Sequence, residues 1–260
     1  MTRATIEIGL RMRLRVILGA AVWLIMACVM VGALFPSLGD SIGKLNLPKG
    51  VADLLGGADY STLSGWMKSE VVSILGPLIV AGVAISNAAA TTAGEEEDRI
   101  TGLLLSHPVR RSRLLLAKAA AVGAAAFALG VASFIALVSG VAVAGGGIGA
   151  GDIAARSLHL TFLGFSLGAL ALALGAATGE RTLASGGTAS VAALMFLING
   201  FAPVVHAISW LKYFSVFHYY SGHDPLTNGV NFGDLAVLAA LTAALVIGGL
   251  VGFERRDIKA

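Results

Sequence analysis

The chain has 260 residues, of which 57% are hydrophobic and only 13% charged, and its mean hydropathy is +0.85. Those proportions exclude an ordinary soluble domain, and the length leaves no room for a separate soluble catalytic domain beside a membrane bundle. The net charge of +3 does not describe a nucleic-acid surface, because the charges collect at the ends of apolar runs, which is the pattern of membrane topology.

Residues 1–15 alternate Arg3, Arg11, Arg13 and Arg15 with Ile6, Ile8, Leu10, Met12 and Leu14. This basic, amphipathic start is expected to lie at the cytoplasmic interface. The apolar run that follows is longer than a signal core and has no small-x-small cleavage site after it, so it is read as a first span rather than a removed leader. A hydrocarbon core takes about 20 apolar residues to cross. By that measure six segments qualify: 16–35, 71–90, 114–144, 158–178, 183–205 and 235–253. The single cysteine, Cys28, lies inside the first and has no intrachain partner.

Counting cations orients the bundle. With the N-terminus inside, thirteen of the 18 Lys and Arg residues are cytoplasmic, and only Lys44, Lys49, Lys68, Arg156 and Lys212 are outside. Both termini are then expected in the cytoplasm. The first outer loop, 36–69, carries an anchor-like Trp66. The last, 206–234, holds Trp210, Tyr213, Phe214, Phe217, Tyr219 and Tyr220, rings that favour the outer interface. His206, His218, His223 and Asp224 share that loop, but their spacing matches no compact metal pattern, and no metal is expected. His159 reads as a packed or water-facing histidine near the outer end of span four. No acid sits mid-span, and GxxxxGK[ST], HExxH and GxSxG are all missing. The chain is therefore expected to have no catalytic residues and not to hydrolyse ATP by itself.

Charge is dense in one place only, the insert at 92–113 and its continuation to Lys118. It runs Glu95, Glu96, Glu97, Asp98 and Arg99, then Leu103, Leu104 and Leu105, then Pro108 with Arg110, Arg111 and Arg113. A loop needing only solubility would not expose three consecutive leucines, so a soluble partner is expected there.

The whole layout resembles the membrane subunit of an ABC-2 type ABC transporter. The resemblance covers the basic start, the six spans, the charged insert after span two, the aromatic outer loop and the tail Phe253-Glu254-Arg255-Arg256-Asp257. Its most specific part is Glu95–Glu97, Leu104-Leu105, Pro108, Arg111 and Lys118 in that order; Arg99-Ile100-Thr101-Gly102 stands where the family usually has Gly-Thr. The resemblance implies an all-α membrane protein of six transmembrane helices, with an N-terminal amphipathic interfacial helix and a cytoplasmic coupling helix between spans two and three. It implies that Leu103, Leu104 and Leu105 pack on a separate ATPase subunit, that Pro108 ends the coupling helix, and that Arg110, Arg111 and Arg113 meet acidic groups of that partner or lipid phosphates. ATP and Mg would sit on two such ATPase subunits and a second permease chain, identical or paralogous, would complete the pathway. Spans two and five would face that pathway, making Asn87, Met195, Phe196, Asn199 and Phe201 the substrate-side candidates; the alternative is that the asparagines only bond neighbouring helices. The expected activity is export of a hydrophobic or amphipathic molecule (drug, antibiotic or lipid-like) across a prokaryotic cytoplasmic membrane. The alternative is a non-transporting immunity or sensor subunit on the same fold.

Overall fold

A computed structural model of the chain describes residues 3–43, 62–98, 100, 110–202 and 205–256. Among them every regular element is helical: α1 (Arg3–Gly43), α2 (Leu63–Glu97), α3 (Arg111–Val143), α4 (Ala150–Thr178), α5 (Leu183–Phe201), a 3-10 segment (His206–Phe214), α6 (Val216–Ser221), α7 (Pro225–Asn228) and α8 (Phe232–Arg255). Six of these contain stretches of 26, 35, 33, 29, 19 and 24 residues that are long and apolar enough to cross a membrane. The all-α, six-span fold expected from hydropathy is therefore present.

Residues 3–15 are the first turns of α1 itself. α2 starts at Leu63 and α4 at Ala150, so eight residues on each, assigned to loops by composition, are helical. The reason is tertiary. Leu63, Trp66 and Met67 are buried, and this packing carries Lys68 and Glu70 into a helix that hydropathy alone would start later. Thr62 opens α2 by accepting the Gly65 N–H at 3.1 Å, and Asn231 opens α8 by accepting those of Gly233 and Asp234. Between α3 and α4 the chain reverses through Gly145, Gly146 and Gly147 at φ 96°, 86° and 119°, angles at which a side chain is strained.

The chain divides into two compact units, the first made of residues 1–79, 128–160 and 223–230. Its core joins Leu24, Cys28 and Val31 of α1 to Trp66, Met67 and Val71 of α2, Leu137 and Val141 of α3, Ile153 of α4 and Leu226 of α7. Trp66 satisfies its indole N–H by donating to the Val31 carbonyl at 2.9 Å, while its ring packs at a tilt on Phe35. Helices α1 and α3 cross backbone to backbone at Gly32 and Gly140, where a Cβ on Gly140 would fall 2.5 Å from the Cys28 carbonyl oxygen. Lys68 pairs with Asp224 at 2.9 Å. The turn of α2 from Lys68 to Leu75 is π-helical, and in it the Gly76 N–H bonds back to Val71. The next residue in that register is Pro77, which has no N–H for the Val72 carbonyl. The buried Arg156 of α4 donates to that carbonyl instead, Nη2 at 3.1 Å.

The second unit holds residues 80–127, 161–222 and 231–260. Here α4 is the central helix, because its small residues let three others come close. A Cβ on Gly164 would lie 2.9 Å from Val80 of α2, and one on Gly168 2.8 Å from Val122 of α3. On the opposite side Ala173 and Ala177 receive Gly249 and Gly252 of α8. Without water to drive helices together, such close backbone approach supplies the packing that holds them. Ser166 of α4 adds polar bonds across to α8, 3.1 Å from the Thr242 hydroxyl and 3.3 Å from the Leu238 carbonyl.

Candidate functional site

The last turn of α2 is Glu95, Glu96 and Glu97, three carboxylates at the helix end where the dipole already places negative charge. Such a turn needs neighbouring donors to hold it, and each carboxylate has one from a different part of the chain. Lys118 of α3 reaches Glu95 at 3.1 Å, with both groups largely withdrawn from solvent. Glu96, buried, takes the guanidinium of Arg256, the residue after α8. Glu97 accepts the backbone N–H of Arg181 at 2.8 Å, from the start of the segment that becomes α5. Arg111, first residue of α3, closes the group by donating to the Arg256 carbonyl at 2.9 Å.

The local sequence prepares this arrangement. Just before the acids, residues Ala90–Gly94 form a second π-helical turn. Thr91 and Thr92 turn their hydroxyls back onto the carbonyls of Asn87 and Ala88, at 2.6 and 2.8 Å, which loosens the helix ladder there. On the far side, α4 ends at Thr178 and Gly179 adopts a left-handed φ of 68°. The Gly179 N–H bonds back to Gly175, as in a helix stop that favours glycine. The Arg256 guanidinium lies directly against Gly179, so that any side chain there would overlap it.

A sequence model described as "ABC-2 family transporter protein" matches residues 1–258. The chain belongs to the ABC-2 transporter family. No curated protein matched it. An ABC-2 permease is a membrane transporter component rather than the catalytic subunit, and the family generally works with an ABC ATPase partner.

Within this ABC-2 permease, the site residues expected from sequence fall into three groups. Glu95 and Lys118 meet each other, and Glu96, Glu97 and Arg111 are tied to the tail and to the α4–α5 link. Asp98, Arg110 and Arg113 are exposed. Arg99, Leu103, Leu104, Leu105 and Pro108 lie outside the described residues. Sequence reasoning missed Arg256, Arg181 and Gly179 as members of this cluster. Its only signal for Arg256 was the basic tail, and nothing local marks a pairing across 160 positions.

Of the pathway candidates, Asn87 accepts from Thr91 on its own helix. The Met195 carbonyl accepts from the Ser215 hydroxyl at 2.8 Å, and Phe196 stacks edge-on against Phe217 with centroids 5.3 Å apart. These contacts bind α5 to the segment that follows it. Asn199 is half-buried and Phe201 exposed. His218 is edge-packed on both Tyr213 and Tyr219, and Asp224 is engaged by Lys68. His159 is fully buried, its Nδ1 2.9 Å from the Ala155 carbonyl of its own helix. No group of three or more His, Cys, Asp or Glu side chains converges among the described residues.

Proposed function

We propose that the chain is one permease half of an ATP-driven exporter, docking an ABC ATPase subunit through the insert at 92–113 and moving a hydrophobic or amphipathic substrate outward. Two such chains, or this one and a paralogue, enclose the pathway, and two ATPase subunits carry ATP and Mg. The observation that carries this reading is the braced acidic end of α2, which opens the insert ahead of its three leucines, in a chain matched by the family from residue 1 to 258. A lever needs a stiff root, and ion pairs to α3 and to the tail supply one. Exposed Arg110 and Arg113 at the start of α3 are available to acids of the partner or to lipid phosphates. The positive-inside count favours a cytoplasmic location for this end of the bundle and for both termini, in a prokaryotic cytoplasmic membrane. Asn87, Met195, Phe196, Asn199 and Phe201 are the residues we assign to the substrate side.

The reading is tested by capture from detergent-solubilised native membranes, wild type against a Leu104→Asp, Leu105→Asp double variant, with co-purifying ATPase activity as the readout. ATPase retained by wild type and lost by the variant supports docking at the insert. If wild type captures no ATPase, the permease role falls.

A further inference from the structure

The buried carboxylate of Glu96 is held by a residue 160 positions away that belongs to no span. Arg256 is fastened at two points. Its carbonyl accepts from Arg111 at the start of α3, and its guanidinium lies between Gly179 and the Glu96 carboxylate. The Arg256 Nε is buried and meets no acceptor among the described residues. Of the fork, Nη2 engages Glu96, and the side chain as a whole is only 17% exposed. Both Glu96 and Arg256 are shielded, so the pair is weakly screened by salt and costly to break on one side only.

We propose that Arg256 is a positioning residue that makes the end of α2, the start of α3 and the end of α8 move as one piece, so that force applied to the insert between α2 and α3 is delivered to α8. This rests on the reading of that insert as the ATPase dock. Without the guanidinium, the insert can still bind its partner through its own leucines, but α8 is no longer fastened to the moving root. A rearrangement of packed elements that is transmitted between sites needs such a physical connection.

The test uses the captured permease–ATPase complex in lipid nanodiscs, with a fluorophore on Ile247→Cys, a position on α8 that is 59% exposed. The native Cys28 is buried and stays unlabelled. Captured ATPase activity reports docking, and the fluorescence change on adding ATP and vanadate reports movement of α8. Arg256→Ala is expected to retain the captured ATPase while its α8 response falls at least about fivefold. Glu96→Arg is expected to lose the α8 response as well, Arg256→Lys to recover part of it, and the Glu96→Arg, Arg256→Glu exchange to recover most of it. Arg256→Gln carries the same comparison if the alanine variant does not fold.

A full α8 response in Arg256→Ala and Arg256→Gln overturns the proposal, as does a wild-type α8 that does not respond or an exchange that restores nothing. Loss of captured ATPase in Arg256→Ala also overturns it, since Arg256 would then be part of the dock. Failure of wild type to capture any ATPase strikes the docking reading itself and is seen before fluorescence is measured.

Discussion

The α1–α3 crossing leaves no room for a side chain at Gly140. Gly140→Ala adds a single methyl whose carbon would lie 2.5 Å from the Cys28 carbonyl oxygen and 3.0 Å from the Met67 terminal methyl. The methionine end can swing away, but the carbonyl is part of α1. Ordinary contact begins at 3.4 Å, so the two backbones must separate by about 0.9 Å along that line. Overpacking of this kind costs about 1–3 kcal/mol, and because the obstacle is backbone we place it near about 3. Alanine returns about 1 kcal/mol of helix propensity, leaving a net loss of about 2 kcal/mol. At this chain length that is a fall of about 4–8 °C in melting temperature.

The assay is built into the protein, because Cys28, the single thiol, is 1% exposed and lies at the crossing. A thiol-reactive dye whose fluorescence rises on reaction should report melting directly and show faster labelling before the melt. Gly123→Ala in the same helix is the control, since its Cβ would meet nothing nearer than a Phe165 ring carbon at 3.9 Å. A Gly140→Ala protein melting at or above the Gly123→Ala protein, with Cys28 equally protected, would refute the reasoning.

Three further outcomes follow from contacts already described. Trp66→Phe keeps the ring against Phe35 but leaves the Val31 carbonyl without its indole donor; a loss of about 1 kcal/mol is expected in the same dye assay. A Lys68→Ala, Asp224→Ala double-mutant cycle should give a coupling of at most about 1 kcal/mol, because both partners keep a fifth to a quarter of their side-chain exposure. Gly179→Ala strains a left-handed residue and overlaps the Arg256 guanidinium, so it should reproduce the Arg256→Ala loss of α8 response with ATPase capture retained.

Hydropathy anticipated six helices long and apolar enough to cross a membrane, and six are present among the described residues, because about twenty apolar residues are a physical requirement of the bilayer, independent of tertiary detail. What it could not locate were the helical starts at Leu63 and Ala150. Lys68, Glu70, Asp152 and Arg156 depress the local hydropathy there, and two of these cations are satisfied by partners distant in sequence: Asp224 for Lys68 and the Val72 carbonyl for Arg156. The acidic run of the site was legible as charge density, but its partners were not. Arg111 faces the tail's carbonyl, although its place in the insert suggested a contact with the ATPase or lipid. Arg256 and Gly179 become neighbours of Glu96 only once α2, α4 and α8 are packed.

The three glutamates have a consequence for the length of α2. A helix that ends in like charges, on its own negative pole, frays unless something outside it supplies the missing donors. Here those donors are Lys118, Arg256 and the Arg181 N–H, all borrowed. Withdrawing them would release the final turn and shorten the helix by about 5.4 Å. Where α2 ends is therefore set by α3, α8 and the link from α4 to α5 as much as by its own sequence.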